Sequence, residues 1–273
     1  MKNLKNVILT VLVVITTISC KKDDTPIPQE TKKGKVVLEF LNNYQDGALA
    51  LNEQVTTPPP MEQRITISQF SYIISDISLI NSSGEEVKYH HTDPNKGAFL
   101  ILQNGTQTPQ QITLSDIAVG DYTAIKFRIG VSNEAKNLGQ NKQTTFWNAA
   151  TATDMAWSWE EGYKHFNYEG TWIKITDTAT ETKTFSMQLG STQTVDNSIV
   201  LTLKFPTNSP TLALTDNATK NVRIEVNANT AWGGKNKIEI TDENANIREA
   251  GDEILSKIIE NLSTNTFKAA SVY

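Results

Sequence analysis

The side chains best able to stack, ligate or be oxidised are concentrated in one run, Asp154-Met155-Ala156-Trp157-Ser158-Trp159-Glu160-Glu161-Gly162-Tyr163-Lys164-His165-Phe166-Asn167-Tyr168-Glu169-Gly170. Trp157 and Trp159 share a face if the chain is extended and lie nearly opposite if it is helical. They read either as an oxidisable or ligand-stacking pair, joined by Tyr163, or as an aromatic cluster at the edge of a core. Met155 offers a thioether to a soft metal or fills an irregular gap in packing. On a strand, Tyr163, His165 and Asn167 share one face and Lys164 and Phe166 the other. His165 is therefore a candidate ligand beside the tryptophans, or a hydrogen-bonded structural histidine. His90 and His91 are adjacent and project to opposite sides of a strand, so they do not chelate one ion together. His91-Thr92-Asp93 reads as a polar loop, a weak exposed metal site being the alternative.

Other chemistries lack their residues. The carboxylate pairs Glu85-Glu86, Glu160-Glu161, Asp242-Glu243 and Asp252-Glu253 are sequence neighbours, whereas glycosidase carboxylates must face each other across a cleft. No G-x-S-x-G elbow, Walker loop or H-E-x-x-H motif is present. Gly233-Gly234 after Trp232 reads as a turn. The expectation is a non-enzymatic protein. The net charge of -5 argues against nucleic acid as a partner. The single cysteine excludes an internal disulfide or a Cys-rich metal cluster.

That cysteine, Cys20, follows a leader. Lys2 and Lys5 precede an apolar stretch over residues 7–18, shorter than the ~20 residues a spanning helix requires. Thr17-Ile18-Ser19-Cys20 resembles a bacterial lipoprotein cleavage site. Residues 1–19 are then a signal peptide, Cys20 the lipidated residue, and residues 20–33 a charged, proline-containing tether. Lys21-Lys22-Asp23-Asp24 resembles the surface-export signal of Bacteroidetes lipoproteins. The expected location is the outer membrane, facing the medium, with a periplasm-facing lipoprotein as the alternative.

The elements that must position the aromatic run are mostly strands. Apolar or alternating stretches over residues 35–41, 65–68, 70–80, 98–102, 111–114, 122–129, 163–175, 182–189, 199–205 and 222–226 are separated by turn residues. Residues 42–63 read as a long polar loop. Two helices are expected: a short Ala-rich one over 146–152, and one over 250–262. In the second, Ile254, Leu255, Ile258, Ile259 and Leu262 form one apolar stripe. The expected fold is all-β, an antiparallel, Greek-key-like β-sandwich with a short internal helix and a C-terminal helix, in one domain over residues 34–273.

Four segments in order resemble the MbnP-like family, a copper-binding domain found beside methanobactin systems and in many Bacteroidetes lipoproteins. Phe70-Ser71-Tyr72-Ile73-Ile74-Ser75-Asp76-Ile77-Ser78-Leu79 resembles one of its strands. Gly120-Asp121-Tyr122 with Ile125-Lys126-Phe127-Arg128-Ile129-Gly130-Val131 resembles a second. The Trp157-Ser158-Trp159 to Gly170 block is the third, and Ile258-Ile259-Glu260-Asn261-Leu262 with Phe267 resembles the closing helix. The resemblance spans roughly residues 34–268. It implies a β-sandwich that holds copper outside the cytoplasm, with histidines completing the site. It also implies a tryptophan oxidised to kynurenine by a dihaem peroxidase-like partner. The metal set implied here is Trp157, Trp159, Met155, His165 and Gln188. Gln188 stands where the family carries histidine, Ser132 where it carries aspartate, and Asp154 where it carries glycine. A carboxamide is a poorer copper ligand than imidazole. The reading is a lipid-anchored, copper- or metal-handling binding protein. The alternative is a surface glycan- or polymer-binding module that stacks sugars on Trp157, Trp159 and Tyr163, with Trp147 and Trp172 as further rings.

Overall fold

The structure is a computed structural model, and it describes residues 32–103, 108–176, 182–191, 195–248 and 253–273. The expected leader, Cys20 and nearly all of the expected tether lie outside the described residues, as does the expected helix start over 250–252.

The strands are β1 (Lys33–Tyr44), β2 (Gly47–Ala48), β3 (Gln54–Thr56), β4 (Gln63–Asn81), β5 (Glu86–Lys88), β6 (Phe99–Leu102), β7 (Gln110–Ala118), β8 (Gly120–Ile129), β9 (Lys164–Lys174), β10 (Lys183–Gly190), β11 (Ile199–Lys204), β12 (Leu212–Leu214), β13 (Thr219–Asn227), β14 (Asn246–Ile247) and β15 (Phe267–Val272). The helices are α1 (Pro94–Gly97), α2 (Asn133–Asn137), α3 (Thr144–Ala152), α4 (Asn229–Gly233) and α5 (Glu253–Asn261). One sheet runs β15-β13-β1-β2, with β7 also on β1. The larger runs β11-β8-β4-β9-β10-β14, with β12 on β8 and β3, β5 and β6 on β4. The all-β sandwich with short helices is met. The antiparallel expectation needs one correction: β1 runs parallel to β13, and β10 to β14. Strands so far apart in sequence meet through long connections, which no short-range turn signal encodes.

The backbone of the larger sheet is β4, read from sequence as two strands. Its core residues are Ile65, Ile67, Phe70, Tyr72, Ile74, Ile77 and Leu79. Strict alternation would turn the strand over at Ile67–Phe70 and again at Ile74–Ile77. Register shifts fall at these steps, between Ile67 and Gln69 and between Ser75 and Ser78. Each bulge absorbs one residue and returns the apolar side chains to the core face.

That core lies between the sheets. Phe40 of β1 meets Tyr72 and Phe127 with ring centroids 6.1 Å away in each case, and Tyr72 Oη donates to Asn42 Oδ1 at 2.9 Å. The apolar stripe of α5 closes one end, with Leu255, Ile258 and Leu262 buried. Asn261, fully buried on the same helix, donates to the carbonyls of Ala231 and Asn236 and accepts from Asn236 N–H. It therefore clamps the turn after α4. Phe267 does not extend the helix but opens β15, an edge strand on β13. Residues 42–63, expected as a polar loop, instead hold the end of β1, the short strands β2 and β3 and the first residue of β4, and Leu49, Thr57 and Met61 there are buried.

A second, smaller core covers part of the other face of the larger sheet. It contains Ile73, Ala98, Val131, Ala135, Phe146, Trp147, Ala150, Met155, Ala156 and Tyr163. Helices α2 and α3 and the turn after α3 build it, and the aromatic run is anchored to it.

Candidate functional site

The run begins where α3 ends. Asp154 takes a positive φ of 57°, and its carboxylate receives the buried Lys164 ammonium at 2.8 Å. Lys164 N–H donates to Met155 O, Ala156 bridges to Tyr163, and Trp157 N–H donates to Gly162 O at 3.0 Å. The chain thus doubles back on itself as a small hairpin leading into β9. Its tip is tied by Ser158 and Glu161, whose side chains bond each other at 3.2 Å. Gly162 has φ of 97°, a backbone conformation that favours glycine.

The hairpin sends the two tryptophans to different places. Trp157 lies on β10, in contact with Gly190, where an added Cβ would collide with its ring. Its Nε1–H donates to Gln188 Oε1 at 2.9 Å. Gln188 Nε2 in turn donates to Glu169 Oε1 at 2.6 Å, and Ser186 Oγ donates to the same oxygen at 3.4 Å. Gln188 and Glu169 share the sheet face away from the main core because Met187, Leu189, Phe166 and Tyr168 take the inner positions. The Arg248 guanidinium stands 4.6 Å from the centroid of the Trp157 ring and is paired with Glu161. Trp159 instead meets Trp147 of α3 edge-on, with centroids 4.9 Å apart. Tyr163 is buried and donates from its hydroxyl to Gln143 at 2.8 Å, and burial pushes that hydroxyl's pKa upward. Tyr163 therefore offers no face to a ligand. Trp147 and Trp172 are likewise buried. Of the proposed stacking residues, only Trp157 and Trp159 retain exposure.

Met155 is fully buried in the smaller core. His165 is also buried, with its ring against Gly130, a residue at φ of 104° that leaves no room for a Cβ. Burial lowers its pKa from 6.5 to about 4, Asp196 opposing that shift while Arg128 and Lys136 add to it. His165 is thus a neutral imidazole near neutral pH, and its Nδ1 has no hydrogen-bond partner among the described residues. The Asn167 Oδ1, two residues along β9, is buried and unpartnered in the same sense. His91 Nε2 lies 3.0 Å from both Ser78 Oγ and Ile77 O, and His90 stacks edge-on against Tyr89. Among the described residues, no group of three or more His, Cys, Asp or Glu is placed to hold a metal. Sequence reasoning found Trp157 and Gln188 but missed Glu169, Gly190 and Arg248. The alternation of β9 and β10 pointed to Glu169; nothing local pointed to Arg248, which is far away in sequence.

The architecture and this site define a two-sheet β-sandwich protein with an aromatic, hydrogen-bonded site on the outer face of its larger sheet. A family model described as MbnP matches residues 33–249, and the chain belongs to that family. A solved structure of MbnP from Methylosinus trichosporium has a similar fold, with a TM-score of 0.56 at 11% identity, covering 88% of this chain and 98% of that one. A search of curated proteins found no match.

The donor chemistry around Trp157 tests the copper implied by the family. The Gln188 carbonyl oxygen is occupied by an indole N–H, and its amide nitrogen by a carboxylate. A metal placed at Gln188 would confront the indole proton and displace a satisfied bond. The encoded side chains at this position do not fit copper.

Proposed function

We propose that the chain is a lipid-anchored, extracytoplasmic binding protein of the MbnP class, non-enzymatic and concerned with metal handling, with its working site at Trp157, Gln188 and Glu169. One observation carries this reading: the 2.9 Å bond from Trp157 Nε1 to Gln188 Oε1. It joins the tryptophan motif to the strand position where the resemblance places a histidine, although the two are separated by 31 residues. The leader and Cys20 support anchoring in the outer membrane, facing the medium. Because the encoded side chains do not fit copper, metal uptake in this reading requires prior oxidation of Trp157 to kynurenine by a dihaem peroxidase-like partner. With peroxide as the oxidant at the partner, the indole C2–C3 bond is cleaved with addition of two oxygen atoms, and hydrolytic loss of C2 as formate leaves an aromatic amine and a ketone in place of the indole N–H.

The test uses full-length protein purified from its native host. Intact mass should show the increase that kynurenine formation gives, and copper should be retained saturably against bathocuproine. Unmodified Trp157 together with no retained copper would end the metal reading while leaving the family assignment intact.

A further inference from the structure

The Trp159 side of the hairpin carries a second site, independent of the Trp157 bond. A surface cleft of about 490 Å³ is lined by Lys136, Asn137, Gly139, Trp159 and Glu160. Its aromatic wall is fixed, since Trp159 is half-buried and braced edge-on by the buried Trp147. Polar groups around the ring have unspent hydrogen-bonding capacity. The Lys136 ammonium donates to the Glu160 backbone carbonyl at 3.1 Å and has no carboxylate partner among the described residues. The Asn137 amide and the Glu160 carboxylate have no partner among the described residues either. At Gly139, φ is 91° and nothing lies within 4 Å of where a Cβ would stand, so the cleft is open on that side.

An indole lining a cleft with one ammonium, one amide and one carboxylate suits a ring that is apolar on its faces and rich in hydroxyls at its edge. Lysine supplies donors, the carboxylate supplies acceptors, and the amide supplies both. A pyranose meets that description, its C–H face lying on the indole. The ammonium and carboxylate balance within the cleft, and the chain as a whole is acidic, so a polyanionic sugar polymer is disfavoured. The geometry points to a binding site for neutral polysaccharide at Trp159, on the same hairpin as the Trp157 site but using none of its residues.

The experiment is affinity electrophoresis of the detergent-extracted full-length lipoprotein through gels containing mixed-linkage β-glucan, xylan, galactomannan or, as the anionic arm, polygalacturonate. At least one neutral polymer should retard the protein. Trp159→Ala should weaken that binding about tenfold, the loss expected for one stacking contact, and Trp159→Phe should restore part of it. Asn137→Ala changes an exposed residue and so keeps the test valid if Trp159→Ala misfolds; it should weaken binding about threefold, as for one hydrogen bond. Retardation by polygalacturonate alone, by no polymer, or undiminished in both Trp159→Ala and Asn137→Ala would overturn the proposal. Copper retention at Trp157 is read separately and does not bear on the outcome.

Discussion

Trp157 and Trp159 are two residues apart and differ in almost every physical respect. Trp157 lies on a glycine, gives its N–H to an amide that is itself held by a carboxylate, and carries a guanidinium over its ring. Trp159 has one aromatic brace and opens into a cleft. The first environment is closed by specific polar partners, the second by packing on one side only. Satisfied hydrogen bonds fix an orientation, whereas packing on one side leaves a surface for something else to cover.

The contrast can be broken most forcefully through Trp147. Trp147→Ala removes a buried ring and the brace of Trp159, and should cost about 3–5 kcal/mol. Urea unfolding measures the loss. Iodide quenching of the folded variant should show Trp159 more accessible and Trp157 unchanged; equal gains at both would mean the hairpin is one unit.

The pH dependence of stability comes next. The folded-state pKa of His165 is depressed to about 4 from 6.5, first by burial. Between those values the unfolded chain binds more protons, so stability rises with pH. Its contribution is complete above about pH 6.5 and is lost as pH falls toward 4, amounting to about 3 kcal/mol. Asn197 of the neighbouring loop, whose backbone lies against the His165 ring, donates from its side chain to Gly190 O, beneath Trp157, so acid should disturb Trp157 fluorescence before that of Trp159. His165→Gln should flatten the stability profile over this range; an unchanged slope would remove His165 as its cause.

Gln188→Leu leaves the Trp157 N–H and the Glu169 carboxylate without their shared partner, and should cost about 1–3 kcal/mol. The indole emission should shift as its hydrogen bond is lost, while Trp159-dependent polymer binding stays as it was. The smallest effect belongs to Arg248→Ala. Loss of a half-exposed cation over the Trp157 ring should cost about 0.5–1 kcal/mol, and high salt should diminish the difference between variant and parent.

Much of the fold was legible along the chain. The apolar alternation of β8 and β9 and the stripe of α5 are local periodicities, and each appears where its residues place it. The two halves of β4 were legible separately, but not their union, because a bulge hides the continuity of a strand whenever the alternation slips by one. β15 was missed for a different reason: Lys268-Ala269-Ala270-Ser271 has weak strand propensity, and pairing with β13 determines it. In the site, the closeness of Trp157 to Gln188 was expected only through family resemblance. The hydrogen bonding that satisfies both partners is set by the tertiary structure.

The residue types decide by themselves that this chain forms strands around an apolar core, that its only thiol is Cys20, and that a carboxamide occupies position 188. They also limit imidazole ligands to three histidines. Only the tertiary structure buries His165 and Tyr163, brings Arg248 over Trp157 and leaves Trp159 lining a cleft. The reason is that periodicity reports which face of an element a residue occupies, but not what lies opposite. The hairpin at residues 156–163 rotates neighbouring tryptophans onto a strand and a helix that the sequence places on either side of it, and that choice is made by packing between elements rather than by either residue's own preference.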